Sequence, residues 1–395
     1  MKTQNNKALK IPAYFSKFIL AFLFLIVSPL STNTWLWSQD NNSNPCVSGT
    51  SDLANAASGS FEERQSKFRA IITKCPGMAE AHYNFGVLLL ENSQANPAIA
   101  QFEAAIRLRD VIEYRLALAS ALVSDGEFLT AKTIYENIIA ADPRSVRALL
   151  GISAVLDKLG KPTDALDYLN KAYGIEPDNV FVNYNIGVLY DRLGQSDAAI
   201  ISFERTLRSD PKHFQAQLLL GLALKKAGRA DEALSALKKA SEDSSSAVDG
   251  HRAYAWELEE LGMLDDAEVV LRRALGNHLG DEKLLEQLSV VLLRKHQESN
   301  AKPLIEQLIF KKPDEARFLA LYGWTLLRLG DQAAAEKALK DAVQKDPAGA
   351  FGFYALGQLY SQTGQSDLSK TNLETAFTLE PSFKESSSEE WWKFW

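Results

Sequence analysis

The stretch NYNIGVLYDRLGQSDAAIISFERTLRSDP, from Asn183 to Pro211, decides how the rest of the chain is read. Gly187 and Ala199 are small residues twelve positions apart, Gly194 stands between them, and Pro211 closes the stretch twelve positions after Ala199. Each has a steric purpose. Two helices of a hairpin approach closely only where the facing side chains are small, so a bulky residue at Ala199 is expected to cost ~1–3 kcal/mol through overpacking. Gly194 tolerates the positive φ that ends a helix, and Pro211 cannot continue one. The stretch therefore reads helix, turn, helix, stop.

The same marks recur on both sides of it. Ala131, Ala165, Ala199, Ala233, Ala267, Ala301 and Ala335 follow one another every 34 residues, with Ala98 33 residues before them and Ser369 34 after. Twelve positions ahead of each lie Gly86, Ala119, Ser153, Gly187, Gly221, Ala255, Ser289, Gly323 and Gly357. Turn glycines fall between the two sets at Gly126, Gly160, Gly194, Gly228, Gly262, Gly330 and Gly364, and prolines close most windows at Pro143, Pro177, Pro211, Pro313, Pro347 and Pro381. Ser93 and His296 replace the turn glycine, and Asp110, Ser245 and Leu279 the closing proline, so looser or differently bent junctions are expected there.

A period of 34 with these marks resembles the tetratricopeptide repeat family. The resemblance covers about three quarters of the chain and implies an all-α, right-handed superhelical solenoid of helix-turn-helix repeats. Nine repeats are expected over residues 79–383, preceded by a capping helix or half repeat over 61–78, with Phe68 in the packing position. Terminal units of such an array shield an apolar face that has no neighbour. Residues 39–60, rich in Asn, Ser, Gly and Ala, read as a flexible linker.

The family's inner face is lined by the first helix of each repeat. Carried onto this sequence, its positions give a largely apolar, concave trough. The residues expected to hold a partner there are Tyr83, Tyr184, Val188, Leu218, Leu222, Arg252, Trp256, Trp324, Arg328 and Tyr354. Such a strip suits an extended peptide or an amphipathic helix, with aromatic and Arg side chains as its strongest contacts. The Lys and Asn clamp by which one subclass grips chaperone carboxylates is absent. Asn84 and Asn185 are two isolated positions of an asparagine ladder that the other windows lack.

The ends differ from the array. Residues 1–38 hold no Asp or Glu, and Lys2, Lys7, Lys10 and Lys17 precede an apolar run from Phe18 to Val27. This is the pattern of an export signal, shorter than the ~20 residues of a spanning helix. Cleavage and retention as an anchor both stay open. The lysines place the N-terminus on the cytoplasmic side, with the remainder exported to the periplasm or cell envelope. Cys46 and Cys75 are the two cysteines, and the alternatives are a disulfide between them or two free thiols. Residues 384–395 end in Trp391, Trp392, Phe394 and Trp395, which either cap the last repeat or engage a membrane interface, a partner's groove or the chain's own trough.

A net charge of −7 argues against a general nucleic-acid partner. His82, His213, His251, His278 and His296 are scattered, without the spacing of a zinc protease, and no nucleophile elbow or phosphate loop occurs. No metal, cofactor or catalytic residue is therefore expected. The sequence reads as a non-catalytic scaffold for an exported protein or peptide partner, with self-association open. The alternative is an assembly factor of an envelope secretion or polysaccharide-export machine, acting through its end faces and aromatic tail.

Overall fold

In the computed structural model, which describes residues 49–242 and 248–384, Gly194 takes φ 73°. The N–H of Gln195 then donates to the carbonyl of Tyr190 at 2.8 Å, and that of Gly194 to the carbonyl of Asp191 at 3.0 Å. These are the bonds that satisfy orphan carbonyls where a left-handed residue ends a helix. The turn repeats at every glycine named for it above. Ser93 and His296 adopt the same conformation, with φ 59° and 56°, and close the same bond, Gln94 to Leu89 at 2.8 Å and Gln297 to Leu292 at 2.9 Å. The looser junctions expected there are corrected to regular turns. The repeat geometry holds both residues in a region that costs an L-residue ~1–2 kcal/mol.

Among the described residues there are 20 α-helices and no strand. The chain divides after Ser209 into two units. The first contains α1 (Gly49–Ala56), α2 (Phe61–Lys74), α3 (Ala79–Glu91), α4 (Ala95–Leu108), α5 (Ile112–Asp125), α6 (Phe128–Ala141), α7 (Val146–Lys158), α8 (Pro162–Ile175), α9 (Val180–Arg192) and α10 (Ser196–Ser209). The second contains α11 (Phe214–Lys226), α12 (Ala230–Glu242), α13 (Val248–Glu260), α14 (Leu264–Asn277), α15 (Glu282–Arg294), α16 (Glu298–Lys311), α17 (Ala316–Arg328), α18 (Gln332–Lys345), α19 (Ala350–Gln362) and α20 (Ser366–Leu379), then a 3₁₀ turn, Pro381–Lys384. Odd-numbered helices are the first of each pair and even-numbered ones the second.

Each pair is locked by a large side chain sixteen residues after a small one. A Cβ on Gly187 would lie 2.6 Å from the Phe203 ring, one on Gly86 2.7 Å from Phe102, and one on Gly323 2.5 Å from Leu339. Phe102, Phe203 and Leu339 are fully buried, each contributing about 1.5–3 kcal/mol through the apolar area it removes from water. The helices thus approach as closely as a missing methyl allows. The small alanines Ala199 and Ala233 are likewise fully buried.

The N-terminal boundary needs correcting. Residues 49–56, placed in a flexible linker above, form α1, which packs Leu53 and Ala56 into one core with Phe68, Ile71 and Phe85. Gly59, with φ 115°, turns the chain into α2. Ser60 and Glu63 cap that helix reciprocally, with bonds of 3.3 and 3.1 Å. Lys67 ties down the end of α1 by donating to the carbonyls of Asn55 and Ser58 at 3.1 and 2.9 Å. The cap is therefore a helix pair in register with the array. Cys75, at the end of α2, is buried and disulfide-bonded. Cys46 lies outside the described residues, as do residues 1–38 and the tail aromatics Trp391, Trp392, Phe394 and Trp395.

Candidate functional site

In the first unit, the first-helix face is built from half-buried aromatic residues. Tyr83 on α3 stacks on Tyr114 of α5, with centroids 4.9 Å apart, and leans on Phe102 at 5.9 Å. Burial raises the Tyr83 phenol, and Arg147 opposes the rise. Arg109 donates to the Tyr114 hydroxyl at 2.8 Å and pairs with Glu80 at 2.6 Å, bracing the stack from behind. Tyr184 on α9 lies 6.2 Å from Phe203, and burial pushes its phenol up to about 12. Val188, one turn on, is half-buried. Leu116 and Ser120 of α5 are buried. The Ser120 hydroxyl donates to the carbonyl of Leu116 at 3.0 Å and lies 3.2 Å from that of Tyr135. Asn185 donates to the carbonyl of Phe181 in its own helix at 2.6 Å.

The face of the second unit is polar at its centre. Glu259 of α13 accepts from Arg294 of α15 at 2.9 Å and from Gln287 at 2.9 Å, while Gln287 also donates to the Arg252 carbonyl at 3.1 Å. Burial raises the Glu259 carboxyl, against the pull of Gln287 and Arg294. The Arg252 guanidinium is depressed by burial, and Glu286, Asp281 and Glu259 counter this. Further pairs join neighbouring first helices, Lys225 to Glu257 at 2.6 Å and Arg317 to Glu286 at 2.8 Å. An Arg192–Asp157 pair does the same between α9 and α7 in the first unit. The charges on these faces are thus largely struts between repeats. Their signal in the sequence is an acid followed 35 residues later by arginine, as in Asp157 and Arg192 or Glu259 and Arg294.

Around these struts the aromatic residues divide sharply. Trp256 on α13 is 48% exposed, whereas Trp324 and Tyr354 are each 3% exposed and Leu218 7%. Trp324 packs edge-on to Phe351 at 5.9 Å and against Tyr354 at 6.2 Å. Phe383 of the 3₁₀ turn stacks on Tyr354 at 4.7 Å. Arg328 lies 6.0 Å over Trp324, donates to Glu298 at 2.5 Å, and meets His296 Nδ1 at 2.5 Å. Trp324, Tyr354 and Leu218 are accordingly packing residues, while Trp256, half-buried Leu222 and Arg252 remain at the surface. A shallow cleft of about 560 Å³ at the starts of α13 and α15 is lined by Asp249, His278, Asp281, Glu282, Lys283 and Lys312 among others. Its charges pair internally, Lys312 with Glu282 at 2.7 Å and Lys283 with Asp249 at 3.5 Å.

Models of the tetratricopeptide repeat match residues 116–180, 184–248, 218–282 and 287–350, and another such model matches 352–383. The chain belongs to the tetratricopeptide repeat family. Members of this family generally serve as non-catalytic scaffolds for protein or peptide partners. Among solved structures, a tetratricopeptide repeat protein from Parabacteroides merdae ATCC 43184 is 18% identical with a TM-score of 0.45, over 67% of this chain and 98% of its own. TTC0263, a thermophilic protein of the family from Thermus thermophilus, is 20% identical with a TM-score of 0.39, over 44% and 98%. The human IFIT1 dimer with m7Gppp-AAAA is 18% identical with a TM-score of 0.47, over 83% and 77%. No curated protein matches the sequence. Among the described residues, no group of three or more His, Cys, Asp or Glu is placed to hold a metal ion, and no helix is long and apolar enough to cross a membrane.

Proposed function

We propose that this tetratricopeptide repeat protein is a non-catalytic scaffold of the exported or cell-envelope compartment, holding a peptide or helix of a protein partner on its first-helix faces. The observation that carries this is Trp256. It is 48% exposed on a helix whose neighbouring charges are engaged in struts between repeats. An exposed indole in a rigid, charge-paired frame is the kind of anchor that supplies much of an interface's affinity. On the first unit, half-buried Val188 holds the position of Trp256, and half-buried Tyr83 and Tyr184 hold that of Arg252. Export rests on the lysine-rich head and apolar run of residues 1–38.

The test is photocrosslinking in cells from a reactive residue at position 256, with mass spectrometry of the captured species and of this chain's N-terminal peptide. Capture of a discrete exported protein supports the scaffold reading, and the N-terminal peptide decides between a cleaved signal and a retained anchor. Purely cytosolic partners would overturn the export argument. A second reading, attachment to a larger envelope assembly away from these faces, is favoured by Leu279 and Phe310, which are 88% and 89% exposed. They flank the bond from Lys311 to the Gly280 carbonyl, 2.6 Å long. Under that reading Leu279→Ser with Phe310→Ser abolishes assembly, and Trp256→Ala leaves it intact.

A further inference from the structure

Residues 248–268, which form α13 and the start of α14, carry seven carboxylates against one arginine, Arg252. Neighbouring elements supply cations to five of the seven. Lys283 pairs with Asp249 at 3.5 Å, Lys225 with Glu257 at 2.6 Å, Arg294 with Glu259 at 2.9 Å, and Lys295 with both Asp265 and Glu268 at 2.5 Å. Among the described residues, no cation forms an ion pair with either of the other two, Glu260 and Asp266. Glu260 stands one turn after Trp256 on the same face of α13, and its charge opposes ionisation of Glu259 beside it.

The turn that follows is apolar. Leu261 and Met263, on either side of Gly262, are both exposed. Of the other described turns within a helix pair, the one after α17 exposes a single large apolar residue, Leu329, and the rest expose none. The Glu260 carboxylate thus lies between exposed apolar side chains, Trp256 before it and Leu261 and Met263 after it. A partner that covers both sides must also cover Glu260. A carboxylate taken out of water without a counter-charge costs more than an apolar contact of this size returns, so an acidic or uncharged segment is disfavoured there. A lysine or arginine supplies the counter-charge and is attracted to the indole face as well.

We propose that the edge formed by α13 and its turn binds a cationic, amphipathic segment of the protein partner, with apolar side chains on Trp256 and Leu261 and a Lys or Arg between them on Glu260. This rests on the reading of Trp256 as a partner site and names the chemistry of what that site takes.

The experiment titrates the full purified chain, by calorimetry, with three synthetic peptides of equal length in which leucines at helical spacing are combined with lysine, glutamine or glutamate. The lysine peptide is expected to bind about tenfold more tightly than the glutamine peptide, and the glutamate peptide not to bind. Trp256→Ala should weaken the lysine peptide about 30-fold, as loss of an aromatic anchor does, and Glu260→Lys about tenfold, through like charges brought together. Asp167→Lys makes the same change of net charge at an exposed position of α8 and should alter the affinity less than twofold. Equal weakening by Asp167→Lys and Glu260→Lys would reduce the binding to net charge and overturn the proposal. So would equal affinity for the three peptides. Segments crosslinked to position 256 in cells are then mapped, with Lys or Arg expected at the point of contact. Capture of a discrete partner through an acidic or uncharged segment refutes the cationic occupant and leaves the scaffold reading standing. If position 256 captures nothing and Trp256→Ala binds the lysine peptide as wild type does, both fall.

Discussion

The Asp157–Arg192 pair in the first unit and the Glu259–Arg294 pair in the second are the same contact three repeats apart, yet they lie in different surroundings. The side chains of Arg192 and Asp157 are 39% and 12% exposed, those of Arg294 and Glu259 only 10% and 5%. Gln287 braces the second pair by donating to Glu259 and to the Arg252 carbonyl, while the first stays open to solvent on its arginine side. One sequence spacing thus produces a surface ion pair in one place and a buried one in another. Coulomb attraction is common to both; what differs is the penalty for leaving one partner alone. A surface charge returns to water, while a buried one has nowhere to go.

The largest expected effect follows from that difference. Arg294→Ala is expected to lower the local stability of α13 and α15 by ~3–5 kcal/mol, and Arg192→Ala to lower that of α7 and α9 by no more than ~1 kcal/mol. Hydrogen exchange resolved by helix measures each loss where it occurs, which matters because repeat arrays unfold regionally. Equal losses at the two sites would break the comparison.

A smaller effect sharpens it through pH. The Glu259 carboxyl is raised by burial, so its folded-state value lies above its unfolded one. Protonation of Glu259 then favours the folded state. This contribution is fully present below the unfolded value and is lost as pH rises through the folded one. Wild type and Glu259→Gln, compared from below the ordinary glutamate range to above the raised value, should show a stability difference that drifts against wild type. The drift is bounded by ~1.4 kcal/mol for each unit of separation. A parallel pair of pH profiles would show that the burial has no such consequence.

The smallest effect compares the two turns that lack glycine. Ser93→Gly should stabilise the first unit by ~0.5–1 kcal/mol, the left-handed cost relieved less glycine's greater entropy in the unfolded chain. His296→Gly should gain less, because the imidazole it removes meets Arg328 at 2.5 Å. Thermal or urea unfolding measures both, and a greater gain at position 296 would reverse the ranking.

The array was legible because its marks are steric and strictly spaced: Gly187 before Phe203, Gly194 at the turn, Pro211 at the stop. α1 was missed because eight residues, GTSDLANA, hold one large apolar side chain, Leu53. The available signal was Gly59, one period before Ser93 and so in register with the turns. On the first-helix faces, position alone did not separate Trp256 from Trp324, although they hold equivalent places two periods apart. Their exposure differs because Phe351 and Tyr354 of α19 crowd Trp324, whereas the residues at the corresponding positions after Trp256 are Lys283 and Glu286. The struts were hidden because pairing across 35 residues is visible only once the helices are stacked.

Length is the freely adjustable dimension of such a chain. Gly86, Gly187, Gly221, Gly323 and Gly357 each meet a side chain sixteen residues on, from their own period, so this crossing survives removal of whole periods. Joining Gly330 directly to Gln365 would excise 34 residues and seat Leu373 against Gly323 in place of Leu339, leucine for leucine. A cut of any other length would shift the frame and bring a side chain of the wrong size to the crossing. Whole periods are accordingly the cassettes in which this protein can be shortened, extended or recombined with its interlocking intact.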